Sequence, residues 1–150
     1  MNRRHPRKVP SRPLVLIVDD NDTRELYIHS LSPLGFDVIA AGDCTEAGRV
    51  AWVTHPDIVV TELSLPGGDG WQLIQDLRRE ARTRDIPIVL LSGQATPAVT
   101  ERPEHEGCAA SLLKPCLPEA LATELRRVLD STHDDEALQR PSDGDALPSP

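Results

Sequence analysis

The apolar residues of this chain follow two patterns. The first is a set of short consecutive runs, of which the clearest is Leu14–Val18; it is too short for a helix and rich in β-branched residues, so it predicts a strand buried on both faces. Similar runs occur in FDVIAAG (36–42), DIVVTEL (57–63), IPIVLLSG (86–93) and AASLLKP (109–115). The first pattern therefore predicts five strands.

The second pattern is helical spacing in the segments between these runs. It covers residues 21–35, 43–55, 69–82 and 117–130. Asp43 and Asp69 each precede a helical segment, where aspartate caps a helix start well. Two apolar faces are predicted, one from Leu26, Ile28, Leu31 and Leu34, the other from Leu117, Leu121, Leu125 and Val128 or Leu129.

A further helix is expected between the last two strands, in residues 95–107. Pro97 is tolerated at a helix start, but Pro103 would interrupt the helix, so this segment is predicted to be short, irregular or mobile. Strands alternating with helices indicate βαβ units. The predicted fold is a doubly wound, five-stranded parallel sheet with helices on both faces.

Charge divides the chain into three regions. Residues 1–13 carry a net charge of +5, residues 131–150 carry −4, and the total of −8 leaves −9 for the body. We predict a disordered basic arm (1–12), one domain (13–130) and a disordered tail rich in acidic residues and proline (131–150). A body this acidic repels nucleic-acid phosphates, so no direct nucleic-acid binding is expected.

The composition also bears on compartment and on metal binding. No apolar stretch approaches the roughly 20 residues that span a bilayer, and the basic start has no apolar signal segment, so we expect a cytoplasmic protein without membrane association. Cys44, Cys108 and Cys116 have no Cys-x-x-Cys spacing and no clustered histidines. Neither a zinc site nor a disulfide framework is indicated.

Chemically active side chains stand where the predicted strands end. Ligands of open parallel sheets bind beyond the carboxyl ends of the strands. The residues delivered there are Asp19 and Asp20 after the first strand, Glu62 after the third, Ser92 at the end of the fourth and Lys114 after the fifth. Each has an ordinary structural role when taken singly, as a helix cap or a turn residue. Together, three carboxylates at one rim repel unless a cation compensates them, which points to Lys114 or a divalent metal.

These residues and their spacing carry a resemblance. VLIVDDN, PDIVVTELSLPGGDG, PIVLLSG and LLKP, in this order, resemble the receiver domain of bacterial two-component response regulators over roughly residues 13–130. The resemblance implies a flavodoxin-like, receiver-type fold and a Mg²⁺ site formed by Asp19, Asp20 and Glu62. It also implies that Ser92 and Lys114 contact a phosphoryl group that a histidine kinase transfers to the acid ending the third strand.

Two positions depart from the family's pattern. The family's phosphoacceptor is an aspartate, whereas this chain has Glu62, and Ser111 stands where the family usually has an aromatic switch residue. The extra methylene displaces the carboxylate. Mg²⁺ demands near-octahedral ligands, and a shift of about 1 Å costs phosphoryl transfer on the order of a hundredfold. We therefore expect weak or absent Mg²⁺ binding and slow or absent phosphorylation of Glu62.

The resulting prediction is an atypical stand-alone receiver that acts as a phosphorylation-independent signalling and protein-interaction module, not as an enzyme. Glu62 either holds an active-like state or pairs with Lys114 in an inactive one, and the sequence leaves both open. Expected partners are a histidine kinase, another signalling protein, or a second copy bound through the face of the fourth helix, fifth strand and fifth helix.

Three other functions are alternatives to this prediction. One is a conventional phosphoaccepting response regulator, and another is an aspartate-based phosphatase or phosphotransferase, for which 150 residues leave little room for a substrate-binding cap. A flavin carrier is disfavoured because the acids of DDND (19–22) would repel a phosphate after the first strand.

Overall fold

The computed structural model describes residues 12–66, 68–93 and 107–145. Seven strands occur in these ranges: β1 (Leu14–Val18), β2 (Asp37–Ala41), β3 (Ile58–Thr61), β4 (Ser64–Leu65), β5 (Gly68–Asp69), β6 (Ile88–Ser92) and β7 (Ala110–Leu113). Five of them form one parallel sheet in the order β2-β1-β3-β6-β7. The five predicted strands are confirmed.

The described helices are α1 (Asn21–Leu31), α2 (Cys44–Thr54), α3 (Gly70–Arg79) and α4 (Pro118–Asp145), with a short 3-10 turn at Ser32–Leu34 after α1. Both predicted caps are present. The Asp43 carboxylate accepts the Glu46 amide at 2.8 Å, and the Asp69 carboxylate accepts the Gln72 amide at 2.9 Å. These bonds satisfy amide groups that the first turn of each helix leaves without a partner.

Helices cover both faces of the sheet, as predicted. Val15, Ile17 and Tyr27 belong to one buried cluster, with α1 and α4 on that face. Leu16, Val18 and Leu73 belong to the other cluster, with α2 and α3. Consecutive residues of β1 thus enter opposite clusters, which is why the strand is apolar throughout. The predicted doubly wound, five-stranded parallel sheet with helices on both faces is confirmed.

Two residues of the predicted apolar faces are exposed. Leu26 is 49% exposed and Leu117 is 71% exposed, whereas Tyr27, which was not in the predicted face, is 2% exposed. The spacing of apolar residues does not decide which of two neighbouring positions faces the core. The packing of α1 against the sheet buries Tyr27 rather than Leu26. Leu117 lies just before the first residue of α4, so the helical stripe does not extend to it.

The ends of the chain differ in part from the prediction. Arg12, assigned to the arm, donates to the Asp37 carboxylate and to the Phe36 carbonyl, each at 3.1 Å; residues 1–11 lie outside the described residues. The backbone of α4 continues through 131–145, which the sequence predicted to be disordered; the helix formers Glu136, Ala137 and Leu138 favour this continuation. The predicted helix in residues 95–107 lies almost wholly outside the described residues.

No helix within the described ranges is long and apolar enough to cross a lipid bilayer.

The strand order places one crevice at the functional end of the sheet. From β1 the chain first moves outward to β2 and then returns past β1 to β3, so the winding direction reverses between β1 and β3. The loops after these two strands leave toward opposite faces, and ligands of such sheets bind in the gap between them. Asp19 and Glu62 follow these two strands.

Candidate functional site

The ends of four neighbouring strands position the side chains of the site. Asp19 follows β1, Glu62 follows β3, Ser92 ends β6 and Lys114 follows β7. Backbone hydrogen bonds extend the sheet ladder past these ends, from the Glu62 amide to the Val18 carbonyl at 3.0 Å and from the Lys114 amide to the Ser92 carbonyl at 2.9 Å. The backbone of the site is therefore as fixed as the sheet itself.

The Lys114 ammonium lies between two carboxylates. Its Nζ is 2.9 Å from Asp19 Oδ2, 3.1 Å from Asp19 Oδ1 and 3.0 Å from Glu62 Oε1. Residues 95 positions apart in the chain meet here. The side chains of Asp19 and Glu62 are 3% and 11% exposed, so these are charge-assisted contacts largely removed from water.

The second oxygen of Glu62 is also bound. Oε2 accepts the Leu63 amide at 2.6 Å and lies 3.3 Å from the Ser64 amide. Ser92, which has no exposed surface, forms a side-chain hydrogen bond to the Glu62 carboxylate. The carboxylate thus receives an ammonium, a hydroxyl and two backbone amides, a set of donors suited to an anionic group.

These contacts shift the pKa values of the three ionisable groups. Burial raises the pKa of Glu62, but the hydrogen bonds from Lys114, Ser92 and the Leu63 amide outweigh burial, so its pKa is lowered. Burial lowers the pKa of Lys114, but Asp19 and Glu62 raise it above its ordinary value. For Asp19, burial dominates and its pKa is raised. At neutral pH the lysine is charged and Glu62 is ionised.

Asp20 borders this cluster, and its amide donates to Asp19 Oδ1 at 2.7 Å. Its carboxylate accepts the Thr23 amide at 2.8 Å and caps α1, and its side chain is exposed. The bond to Thr23 is the main cause of its lowered pKa. Of the site residues predicted from the sequence, the structure brings together Asp19, Glu62, Ser92 and Lys114, while the carboxylate of Asp20 is engaged as a helix cap.

The described arrangement does not match a Mg²⁺ site. Across residues 12–66, 68–93 and 107–145, no three Asp, Glu, His or Cys side chains are placed to hold a metal ion together. Asp19 and Glu62 face an ammonium, and Asp20 faces its own helix. Mg²⁺ at this place, as the sequence predicted from Asp19, Asp20 and Glu62, would compete with Lys114 for the carboxylates of Asp19 and Glu62.

A small hairpin that was not predicted supports Glu62. β4 and β5 pair antiparallel directly after it, and the Gly70 amide donates to the Leu63 carbonyl at 2.7 Å. A Cβ atom at Gly70 would overlap the Glu62 carbonyl oxygen and lie 3.0 Å from Leu63 Cα. This contact shows why position 70 needs a glycine.

Tyr27 was also missed. Its hydroxyl donates to the Cys116 carbonyl at 2.7 Å, two residues beyond Lys114 in the chain. A lone tyrosine inside a helical segment gives no sequence signal of such a contact, since the partner lies 89 positions away. The cysteines Cys44, Cys108 and Cys116 are all free thiols, as predicted.

Comparisons with known proteins agree with this fold. The family model of the response regulator receiver domain matches residues 15–126. PhoB of Klebsiella pneumoniae, a phosphate regulon transcriptional regulatory protein, is 31% identical over 79% of this chain and 52% of its own length. RpaA of Synechocystis, a DNA-binding dual master transcriptional regulator, is 31% identical over 80% of this chain and 50% of its own length. The chain spans about half the length of these curated relatives.

Solved structures give the same result. The chemotaxis response regulator CheY4 of Vibrio cholerae superposes with a TM-score of 0.71 at 27% identity, over 78% of this chain and 98% of its own. A response regulator of Desulfuromonas acetoxidans gives a TM-score of 0.69 at 32% identity, over 78% of this chain and 96% of its own.

Proposed function

This chain belongs to the family of response regulator receiver domains, and from that premise we propose that it is an atypical receiver, a signalling module that binds partner proteins without being phosphorylated. The proposal rests on the Glu62 carboxylate, which already accepts hydrogen bonds from Lys114, Ser92 and the Leu63 amide. The role is one of protein interaction rather than catalysis.

The position of Lys114 is the observation that carries the proposal. A phosphoryl group on the third-strand acid would need cationic and hydroxyl donors for its oxygens. Lys114 Nζ already contacts Glu62 Oε1 at 3.0 Å, and the Ser92 hydroxyl also bonds this carboxylate. An incoming phosphoryl group would have to displace Glu62 from both donors.

The geometry of Glu62 also opposes phosphoryl transfer. An acceptor oxygen must approach the phosphorus in line with the leaving oxygen. Glu62 Oε1 points at Lys114, Oε2 is held by the Leu63 amide at 2.6 Å, and only 11% of the side chain is exposed. Neither oxygen is presented to a donor approaching from solvent, so transfer should be slow or absent.

Two states of the module are compatible with these contacts. Glu62 carries one negative charge on two oxygens, whereas a phosphoryl group carries nearly two charges on three. Glu62 therefore imitates a phosphorylated acceptor only in part, which corresponds to an active-like state. The same contacts also describe a receiver held inactive. In both states phosphorylation does not control the protein.

The net charge of the domain indicates which class of partner it binds. Of the relatives named above, RpaA is a DNA-binding transcriptional regulator, and this chain matches about half of its length. Residues 14–130 carry a net charge of −9, which disfavours nucleic acid. We propose a histidine kinase or another signalling protein as the partner. The homodimer face suggested by the sequence includes residues outside the described ranges and stays a prediction.

Acetyl phosphate with Mg²⁺ tests the proposal against a conventional phosphoaccepting regulator. Intact-mass measurement should show no phosphoryl adduct on the natural chain and an adduct on Glu62→Asp, whose shorter carboxylate releases Lys114 and Ser92. Glu62→Gln is the matched control and should not label. Stoichiometric labelling of the natural chain would establish the conventional function instead.

A further inference from the structure

The connection between β7 and α4, residues 114–117, carries the lysine of the site. This connection is largely at the surface, since Pro115 is exposed and Leu117 is 71% exposed. Burial of its own side chains therefore contributes little to holding it in place. Lysine has a flexible four-carbon side chain, so the position of its ammonium depends on how firmly the backbone beneath it is fixed.

Two hydrogen bonds fix this backbone. On one side the Lys114 amide donates to the Ser92 carbonyl at 2.9 Å, as a continuation of the sheet. Two residues further on, the Tyr27 hydroxyl donates to the Cys116 carbonyl at 2.7 Å. The first bond fixes the backbone at the lysine itself and comes from the sheet, and the second fixes it two residues later and comes from α1.

Tyr27 is suited to such a role. It is 2% exposed and packs in the cluster that contains Leu31 and Leu121, so its ring cannot move freely. Burial raises its pKa to about 12, and the charges of Cys116, Lys114 and Asp19 also act on that pKa, which places the hydroxyl close to the site. The hydroxyl is therefore protonated and a hydrogen-bond donor at neutral pH.

We propose that Tyr27 is a positioning residue whose hydroxyl fixes the Cys116 carbonyl and so holds the Lys114 ammonium between Asp19 and Glu62. The inference rests on the proposed function, because Tyr27 supports the ion pair between Lys114 and Glu62 on which that function depends. Ser111, on β7, stands where receivers usually have an aromatic switch residue, and Tyr27 is an aromatic residue of α1 that contacts the connection following β7.

The experiment compares Tyr27→Phe with the natural chain. The phenylalanine keeps the buried ring and removes only the hydroxyl. The chain has two lysines, Lys8 in the N-terminal arm and Lys114. Labelling lysine with ¹⁵N therefore gives two ammonium signals, and the exchange of their protons with water can be followed by NMR. A Lys114 ammonium bound by two carboxylates should exchange much more slowly than that of Lys8.

The expected result is that Tyr27→Phe speeds exchange of the Lys114 ammonium by roughly fivefold, since one hydrogen bond of ordinary strength is lost. Ser30→Ala is the matched control, because Ser30 is also on α1 and its hydroxyl also donates to a carbonyl, that of Leu26, at 2.6 Å. It should leave the exchange of Lys114 unchanged.

A Tyr27→Phe chain that melts at a lower temperature but keeps the natural Lys114 exchange rate would overturn the proposal and leave Tyr27 a core residue. This readout does not involve phosphorylation. If acetyl phosphate labels the natural chain while Tyr27→Phe still loosens Lys114, the proposed function fails and the positioning role stands. If no label appears and Lys114 is unaffected, the positioning role fails alone.

Discussion

At the scale of single residues, Lys114 is the cation on which the site depends. As whole residues, Asp19 and Glu62 are 2% and 9% exposed, so water solvates their carboxylates poorly. A buried pair of like charges is unfavourable, and one ammonium within 3.0 Å of both offsets it. The lysine therefore acts on stability as well as on the chemistry of the site.

Replacing Lys114 by methionine keeps most of the side-chain volume and removes the charge. We expect the free energy of unfolding to fall by about 3–5 kcal/mol, because two buried carboxylates lose their counter-ion. Urea unfolding measures this change. Arg79→Met is the control: Arg79 pairs with Asp76 at 3.2 Å, but both side chains are at least half exposed, so the change should stay within about 0.5 kcal/mol. Equal effects of the two substitutions would contradict the bridging role.

Glu62 gives the stability a defined dependence on pH. Its pKa is lowered in the folded chain, so the folded state favours the ionised form. That contribution is fully present above the ordinary glutamate pKa of about 4.3 and is lost as the pH falls through the lowered value. The difference in unfolding free energy between the natural chain and Glu62→Gln should therefore shrink below about pH 4. Urea titrations at several pH values test this, and a difference that widens on acidification would be contrary to it.

Some residues of the site follow from the sequence and others do not. Asp19, Glu62, Ser92 and Lys114 were predicted to meet because parallel strands bring their carboxyl ends to one edge of the sheet. The roles of Asp20 and Tyr27 were not predicted. A carboxylate after a strand serves equally as a ligand or as a helix cap, and the Tyr27 contact depends on packing between distant parts of the chain.

At the scale of elements, the loop after β3 determines where Glu62 points. The loop turns back through the β4–β5 hairpin, and Gly70 at the start of α3 lies against the backbone of Glu62 and Leu63. This contact holds the Leu63 amide under the Glu62 carboxylate. The orientation of the side chain is therefore a property of the whole loop.

Gly70→Ala tests this role of the loop. The added methyl group overlaps the Glu62 carbonyl, so we expect a loss of about 1–3 kcal/mol in unfolding free energy and shifted amide signals at residues 62–64. Gly48→Ala is the control, since a Cβ at this α2 position meets nothing within 4 Å; it should raise stability by about 0.5–1 kcal/mol. A Gly70→Ala chain that matches the control would refute the role of the loop.

Element boundaries could be predicted where a single local rule applies. The apolar runs predicted the five strands of the sheet, and Asp43 and Asp69 predicted the starts of two helices. The two-residue strands β4 and β5 carry too few residues for any pattern, and the direction in which α1 buries its stripe depends on the sheet beneath it. The extension of α4 contains a few helix formers among many Asp, Pro, Ser and Gly residues, and composition alone does not predict a helix there.

At the scale of the whole molecule, the fold and the charge distribution act together. The parallel strands bring acidic side chains together at one end of the sheet, and residues 14–130 carry a net charge of −9. A single lysine compensates two of the carboxylates of that site. The protein therefore presents to its partners a receiver surface whose central charges are already paired. The overall architecture was predictable because strand and helix patterns alternate consistently along the domain.

The most direct measurement is an NMR titration of the natural chain with beryllofluoride and Mg²⁺, which together imitate a phosphoryl group on a carboxylate. We expect that the amide signals of residues 62–64, Ser92 and Lys114 do not move, because Glu62 retains its donors, while the same signals shift in Glu62→Asp. Saturable shifts of these signals in the natural chain would show that the site still accepts a phosphoryl group, and would contradict a phosphorylation-independent function.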